Sequence, residues 1–292
     1  MSRTLTFVLA CLLALVAGGC ATNYYNIPRE TYEQKVRVLG VAPIMVDADS
    51  DIRHPDKDVL VGLLKEASRG NEQELVALLK DSDAYFSVRL LPENPDQLLA
   101  AVLSRRERRD DGGTIYNKYF YKPEEIKQLA ERQNVDAVML VTISGLTRSD
   151  KIYSSNYMSF LEGEYNYLVM TAQILDKDGT VLWEYPNFRA RMVNFPTFLA
   201  LQYPDFDEAK ANATDVVQVK FKTVDGIGRA LHKTESSSLQ KERTVSSLYE
   251  TQFEAMTALL QPSRSVLGGT KDDEKKPAEP APASAPATEP AK

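Results

Sequence analysis

Asp47, Asp49 and Asp51 alternate along one short stretch, with Asp58 further on. That spacing fills positions one, three, five and twelve of an EF-hand-type loop, in which carboxylate oxygens surround a calcium ion. However, Ile52 stands where such a loop needs Gly, Pro55 sits at position nine, and Asp58 is shorter than the usual Glu. A solvated acidic loop accounts for the same residues. The histidines are His54 and His232. Serine-based catalysis would need one of them, yet no serine lies in a nucleophile-elbow pattern. Nor do the two histidines have zinc-ligand spacing. Glu162 with Glu164, and Asp176 with Asp178, invite a glycosidase reading. Both pairs fall in expected turns, where acids are common, and spacing along the chain does not set the separation across a sugar. GxGxxG, the phosphate-binding loop and HExxH are absent from the sequence. The expectation is a protein without a cofactor and without an enzymatic centre.

Aromatic side chains carry the stronger signal. Tyr116, Tyr119, Phe120 and Tyr121 form one group, and Tyr153, Tyr157 and Phe160 another. Aromatic residues concentrate at protein interfaces, so these seven are candidate partner-binding residues; completing the core is the alternative. The run Arg105-Arg106-Glu107-Arg108-Arg109 reads as a solvated helix end or loop, with contact to anionic headgroups or glycans as the sharper reading.

One residue predicts location. Arg3, the apolar stretch from Leu5 to Val16 and Ala17-Gly18-Gly19-Cys20 follow the order of a secretory signal, too short for a stable membrane span. The ending resembles a bacterial lipobox, which implies cleavage before Cys20 and lipidation of its sulfur. Several acyl chains, at about 0.8 kcal/mol per buried methylene, would hold the chain on a membrane. Ala21, rather than Asp, follows Cys20, which points to the inner leaflet of the outer membrane. The other cysteine, Cys11, lies in the leader, so the expected mature chain has no structural disulfide. From Cys20 onward, 34 cations face 41 acids, a net charge of −7 that excludes a basic nucleic-acid footprint.

The expected organisation is a signal over 1–19, a lipidated tether over 20–34, an α/β domain over 35–262 and a disordered Pro/Ala-rich charged tail over 263–292. Within the domain, Val36–Ile44 and Ala84–Leu91 read as strands, with helical spacing over Val59–Leu64 and Glu74–Leu79. Asn94-Pro95 and Lys122-Pro123-Glu124-Glu125 start two further helices. Ala137–Ile143 is apolar on both faces, as a central strand requires. Tyr165–Leu175 and Gly179–Trp183 form a hairpin around Asp176-Lys177-Asp178-Gly179. Ala213–Leu231 favours helix despite strand-like alternation of Val217, Val219 and Phe221, and Val245–Leu260 is a cleaner helical stripe. Strands alternating with helices, then a hairpin, predict a single domain with a mixed sheet flanked by helices.

Gln133-Asn134-Val135-Asp136-Ala137 leading into Val138–Ile143, and the hairpin Asp176-Lys177-Asp178-Gly179-Thr180-Val181-Leu182-Trp183-Glu184, resemble the TolB N-terminal-like fold of CsgG-type and LpoB-type envelope lipoproteins. The resemblance covers Lys35 to Glu184. It implies an accessory or assembly factor on the periplasmic face of the outer membrane, with envelope proteins as partners. Two alternatives stand beside it: a cell-wall glycan-binding protein or hydrolase, and a homo-oligomeric ring-forming secretion subunit. The ring would need Thr147–Glu164 or Pro186–Asp207 to pair as hairpins, and neither has the sustained alternation of a membrane strand.

Overall fold

Residues 137–153 alternate in side-chain direction, and the two apolar sets of this strand face two different cores. Met139, Val141 and Ile143 enter one core and Val138 and Leu140 the other, the period-2 geometry of a strand buried on both faces. The computed structural model describes residues 24–190, 193, 195–213, 218–234 and 245–261. The leader, Cys20 and the tail over 263–292 lie outside the described residues, as does Val217.

The order of elements is α1 (Arg29–Lys35), β1 (Val38–Val41), β2 (Met45–Val46), α2 (Lys57–Asp81), β3 (Ser87–Leu90), α3 (Pro95–Val102), β4 (Leu103–Asp111) and β5 (Thr114–Tyr121). Then follow α4 (Pro123–Gln133), β6 (Ala137–Tyr153), β7 (Phe160–Asp176), β8 (Val181–Tyr185), β9 (Thr197–Ala200), α5 (Phe206–Ala211), α6 (Val224–Leu231) and α7 (Ser247–Ala258). The antiparallel pair β6–β7, 17 residues in each strand, is the spine of a nine-stranded mixed sheet. β6 pairs in turn with β1 and β2, both parallel, and then with antiparallel β5. β3 lies parallel beyond β1, and β4 antiparallel beyond β5. β7 takes β8 and β9 as antiparallel partners.

Helices cover both faces of the sheet, the mixed α/β arrangement the sequence predicts. Leu60, Leu64, Leu75 and Leu79 of α2, Ile227 and Leu231 of α6, and Tyr249, Phe253 and Met256 of α7 fill the first core. Leu98, Leu99 and Val102 of α3 and Ile126, Leu129 and Ala130 of α4 fill the second. Asn94 caps α3 by accepting from the Asp96 and Gln97 amides at 3.1 Å each, the role of an N-cap before a first-turn proline.

Four expectations change. The two helical segments within 59–79 are one helix, α2, because Ser68, Asn71 and Glu72 are buried along the stripe that joins them. Arg105–Arg109 lies in strand β4, where Arg106 pairs with Asp47 of the acidic loop and Arg109 with Glu107 of the same strand. The helix expected over 213–231 is confined to Val224–Leu231: Ala213 bridges Val219, Phe221 bridges Gln202, and Thr223 caps the later start. Finally, packing begins before Lys35. Tyr25 and Tyr32 are buried and meet edge-on at 4.9 Å, and Tyr25 bridges Trp183.

Candidate docking site

Beyond Arg148 and Tyr165, β6 and β7 continue as a two-stranded ribbon of five residue pairs, ending at Tyr153 opposite Phe160. At about 3.4 Å per residue the ribbon is roughly 17 Å long. Its flanks have charge and aromatic contacts: Lys151 meets Glu162 at 3.2 Å and lies 4.9 Å above the Phe160 ring. Ile152 and Leu161, opposite each other, pack back toward the core around Tyr116, Tyr165 and Tyr167.

Short polar side chains build the tip. Ser154 Oγ donates to Asn156 Oδ1 at 2.8 Å, and the same oxygen accepts the Met158 amide at 2.9 Å. The Ser159 amide donates to Ser154 Oγ at 3.1 Å, and the Tyr157 amide to the Ser154 carbonyl at 2.9 Å. With the backbone satisfied locally, the large side chains are left in solvent: Tyr153 is 46% exposed, Tyr157 78%, Met158 83% and Phe160 49%. Tyr153 lies 5.9 Å from Tyr157 and 5.6 Å from Phe160, ring centre to ring centre. Tyr157 also has φ of +58°, a left-handed conformation that costs a side-chain-bearing residue roughly 1–2 kcal/mol.

The structure separates the seven sequence candidates. Tyr153, Tyr157 and Phe160 meet at this tip, and Met158 joins them. Tyr116 and Tyr119 are buried and so withdrawn from any partner. Tyr116 packs 4.3 Å from the Phe195 ring and donates to Asp111. Tyr119 donates to Asp47 Oδ2 at 2.7 Å. Phe120 and Tyr121 are half-buried; Arg105 lies 4.0 Å over the Phe120 ring and Tyr121 meets Thr142 at 3.2 Å.

The acidic loop does different work from the one its spacing suggests. Asp47 is fully buried, and its Oδ2 accepts from Arg106 Nε and the Tyr119 hydroxyl, both at 2.7 Å. Arg106 and Tyr119 are register partners across β4 and β5, so one carboxylate holds both strands of that hairpin. Burial, followed by the Asp47 charge, pushes the Tyr119 hydroxyl well above its ordinary range. Asp49 pairs with Arg106 at 3.1 Å, Asp51 with Arg53 at 3.0 Å, and Asp58 is exposed in the first turn of α2. Asp47 and Asp49 thus share Arg106 while Asp51 pairs with Arg53, and among the described residues no group of three or more His, Cys, Asp and Glu is placed to hold a metal ion.

His54 accepts the Asp56 amide on Nδ1 and so donates from Nε2 to the Lys222 carbonyl at 2.8 Å. His232 reaches back to the Gly228 carbonyl at the end of α6. Both histidines hydrogen-bond to backbone groups. Glu162 and Glu164 pair with Lys151 and Arg53. Asp176 accepts the Asp178 and Thr180 amides of its turn and pairs with Lys35. Sequence reasoning missed Met158, whose neighbours Tyr157 and Phe160 were the available signal. No protein-family model and no curated protein matches this chain.

Proposed function

We propose that this chain is a lipid-anchored envelope lipoprotein that binds a partner protein through the tip of the β6–β7 ribbon and works as an accessory or assembly factor. The observation that carries this reading is the cluster of Tyr153, Tyr157, Met158 and Phe160, solvent-exposed at the end of a ribbon whose other exposed side chains are polar. Aromatic and Met side chains are the types enriched in the desolvated centre of interfaces, and two-ring contacts supply large area at small entropic cost. The left-handed Tyr157 adds to the case, because strain retained at a surface position is more often kept for function than for stability. The lipobox-like leader and the resemblance to TolB N-terminal-like lipoproteins support siting this interaction at the periplasmic face of the outer membrane.

A ring-forming subunit shares one expectation with the structure, namely pairing within Thr147–Glu164. The accessory reading is preferred because the ribbon flanks carry Arg148, Asp150, Lys151, Glu162 and Glu164, a poor lining for a lipid-facing strand. The test is affinity capture from crosslinked native envelopes, comparing the tagged wild type with a Tyr157→Ser, Phe160→Ser double variant. The account expects the wild type to recover a defined envelope protein and the variant to lose it. Equal recovery by both, or recovery of the chain alone in a fixed high-order assembly, contradicts it.

A further inference from the structure

A cleft of about 490 Å³ opens between β5 and the β7–β8 pair, within the range of small-molecule sites, about 300–1,000 Å³. Gln173 and Glu184, side by side as register partners, line it together with Lys118, Phe120, Tyr121 and Arg189. The Glu184 side chain is only 4% exposed, yet its oxygens lie 3.9 Å from Lys118 Nζ and 3.8 Å from Arg189 Nε, beyond hydrogen-bond range. Among the described residues no side chain donates a hydrogen bond to that carboxylate. A buried carboxylate normally collects such donors, because it loses its water shell on burial. Gln173, beside it, supplies an unmet acceptor. Its Nε2 donates to the Tyr119 carbonyl at 3.4 Å, which fixes Oε1 as the acceptor, and Oε1 is buried without a partner.

We propose that this cleft is a binding site for an acidic sugar, whose hydroxyl groups donate to Glu184 and Gln173 while its carboxylate sits against Lys118 and Arg189. Three features select that class. Two adjacent acceptors call for a ligand rich in O–H donors. Two cations around one carboxylate leave the cleft net positive, which calls for an anionic group elsewhere on the ligand. The same cations disfavour an ammonium at Glu184, so neutral hydroxyls are the better donors than the amine of an amino acid. Phe120 and Tyr121 at the wall offer ring surface to the C–H face of a pyranose. The site is separate from the β6–β7 tip and does not depend on it.

The test is ligand-observed saturation-transfer NMR on the purified full chain with D-glucuronate, D-glucose and acetate as probes. D-glucose differs from D-glucuronate only in carrying CH2OH for the carboxylate, and acetate is the carboxylate alone. The expected result is transfer to D-glucuronate, at least tenfold weaker binding of the other two, and at least tenfold loss of D-glucuronate affinity in Lys118→Met and in Glu184→Gln. Arg189→Met, whose side chain is half exposed, should lose affinity as well, and it also gives up the hydrogen bond from Nη2 to the Tyr25 carbonyl. A remote Phe86→Ser variant should bind as the wild type does. No transfer to D-glucuronate, acetate binding as tightly as D-glucuronate, or unchanged affinity in both Arg189→Met and Glu184→Gln would overturn the proposal.

Discussion

Tyr157 places a solvated aromatic ring on a left-handed backbone, and the two features can be separated by mutation. Tyr157→Gly removes the Cβ conflict, so stability should rise by up to about 1 kcal/mol in urea denaturation while partner capture falls. Asp47 has the opposite character, since its value is structural. Asp47→Ala strips Arg106 and Tyr119 of their shared acceptor and should cost roughly 2–4 kcal/mol, whereas Tyr119→Phe should cost about 1 kcal/mol. Glu72 is buried and accepts the Ile44 amide at 2.9 Å. Burial raises its carboxyl above the ordinary value, outweighing that hydrogen bond. The folded state therefore binds its proton more tightly than the unfolded state, and stability is lost as pH rises through the folded pKa. Glu72→Gln keeps the acceptor and removes the charge. Its melting temperature should exceed that of the wild type at pH 8, and the difference should shrink toward pH 4. At this scale the sequence was half legible: residue types marked Tyr157 and Asp47 as notable, but burial decided which was a surface and which an anchor.

The elements explain that division. Strong local signals were read correctly: Pro at the first turn of α3 and α4, and the continuous apolar run of β6. Signals that depend on distant partners were not. The Arg-rich run forms β4 because β5 and Asp47 receive it, and neither is evident from the run itself. The ribbon after Arg148 reads as a loop because Ile152 and Leu161 alone bring aliphatic side chains to its half-buried face, too short a pattern to mark a strand without the pairing of β6 with β7. Gly145 illustrates a constraint set by crossing elements. A Cβ there would stand 2.1 Å from the Asp51 carbonyl oxygen, where the acidic loop crosses β6 and Ser50 Oγ accepts the Gly145 amide at 3.0 Å. Gly145→Ala should therefore lower stability by about 3 kcal/mol, with loss of the loop's order visible as faster amide exchange at Ile52.

At the scale of the whole molecule, the account joins a proposed lipid anchor at Cys20, a sheet wrapped by helices on both faces, and a ribbon that carries aromatic side chains beyond the last flanking strands. Cys20→Ala should release the protein from membranes into the soluble periplasmic fraction; unchanged membrane retention would remove the anchor from the account. Among the described residues no helix is long and apolar enough to cross a membrane. The central claim is that the ribbon tip meets a specific partner. It is tested most directly by placing a photo-crosslinking amino acid at position 157 and, as a control for general stickiness, at Phe86, an 80% exposed aromatic beside β3. Irradiation of living cells should give one discrete heterologous adduct from position 157 and none from position 86. No adduct at position 157, or the same spread of adducts from both positions, would contradict the claim.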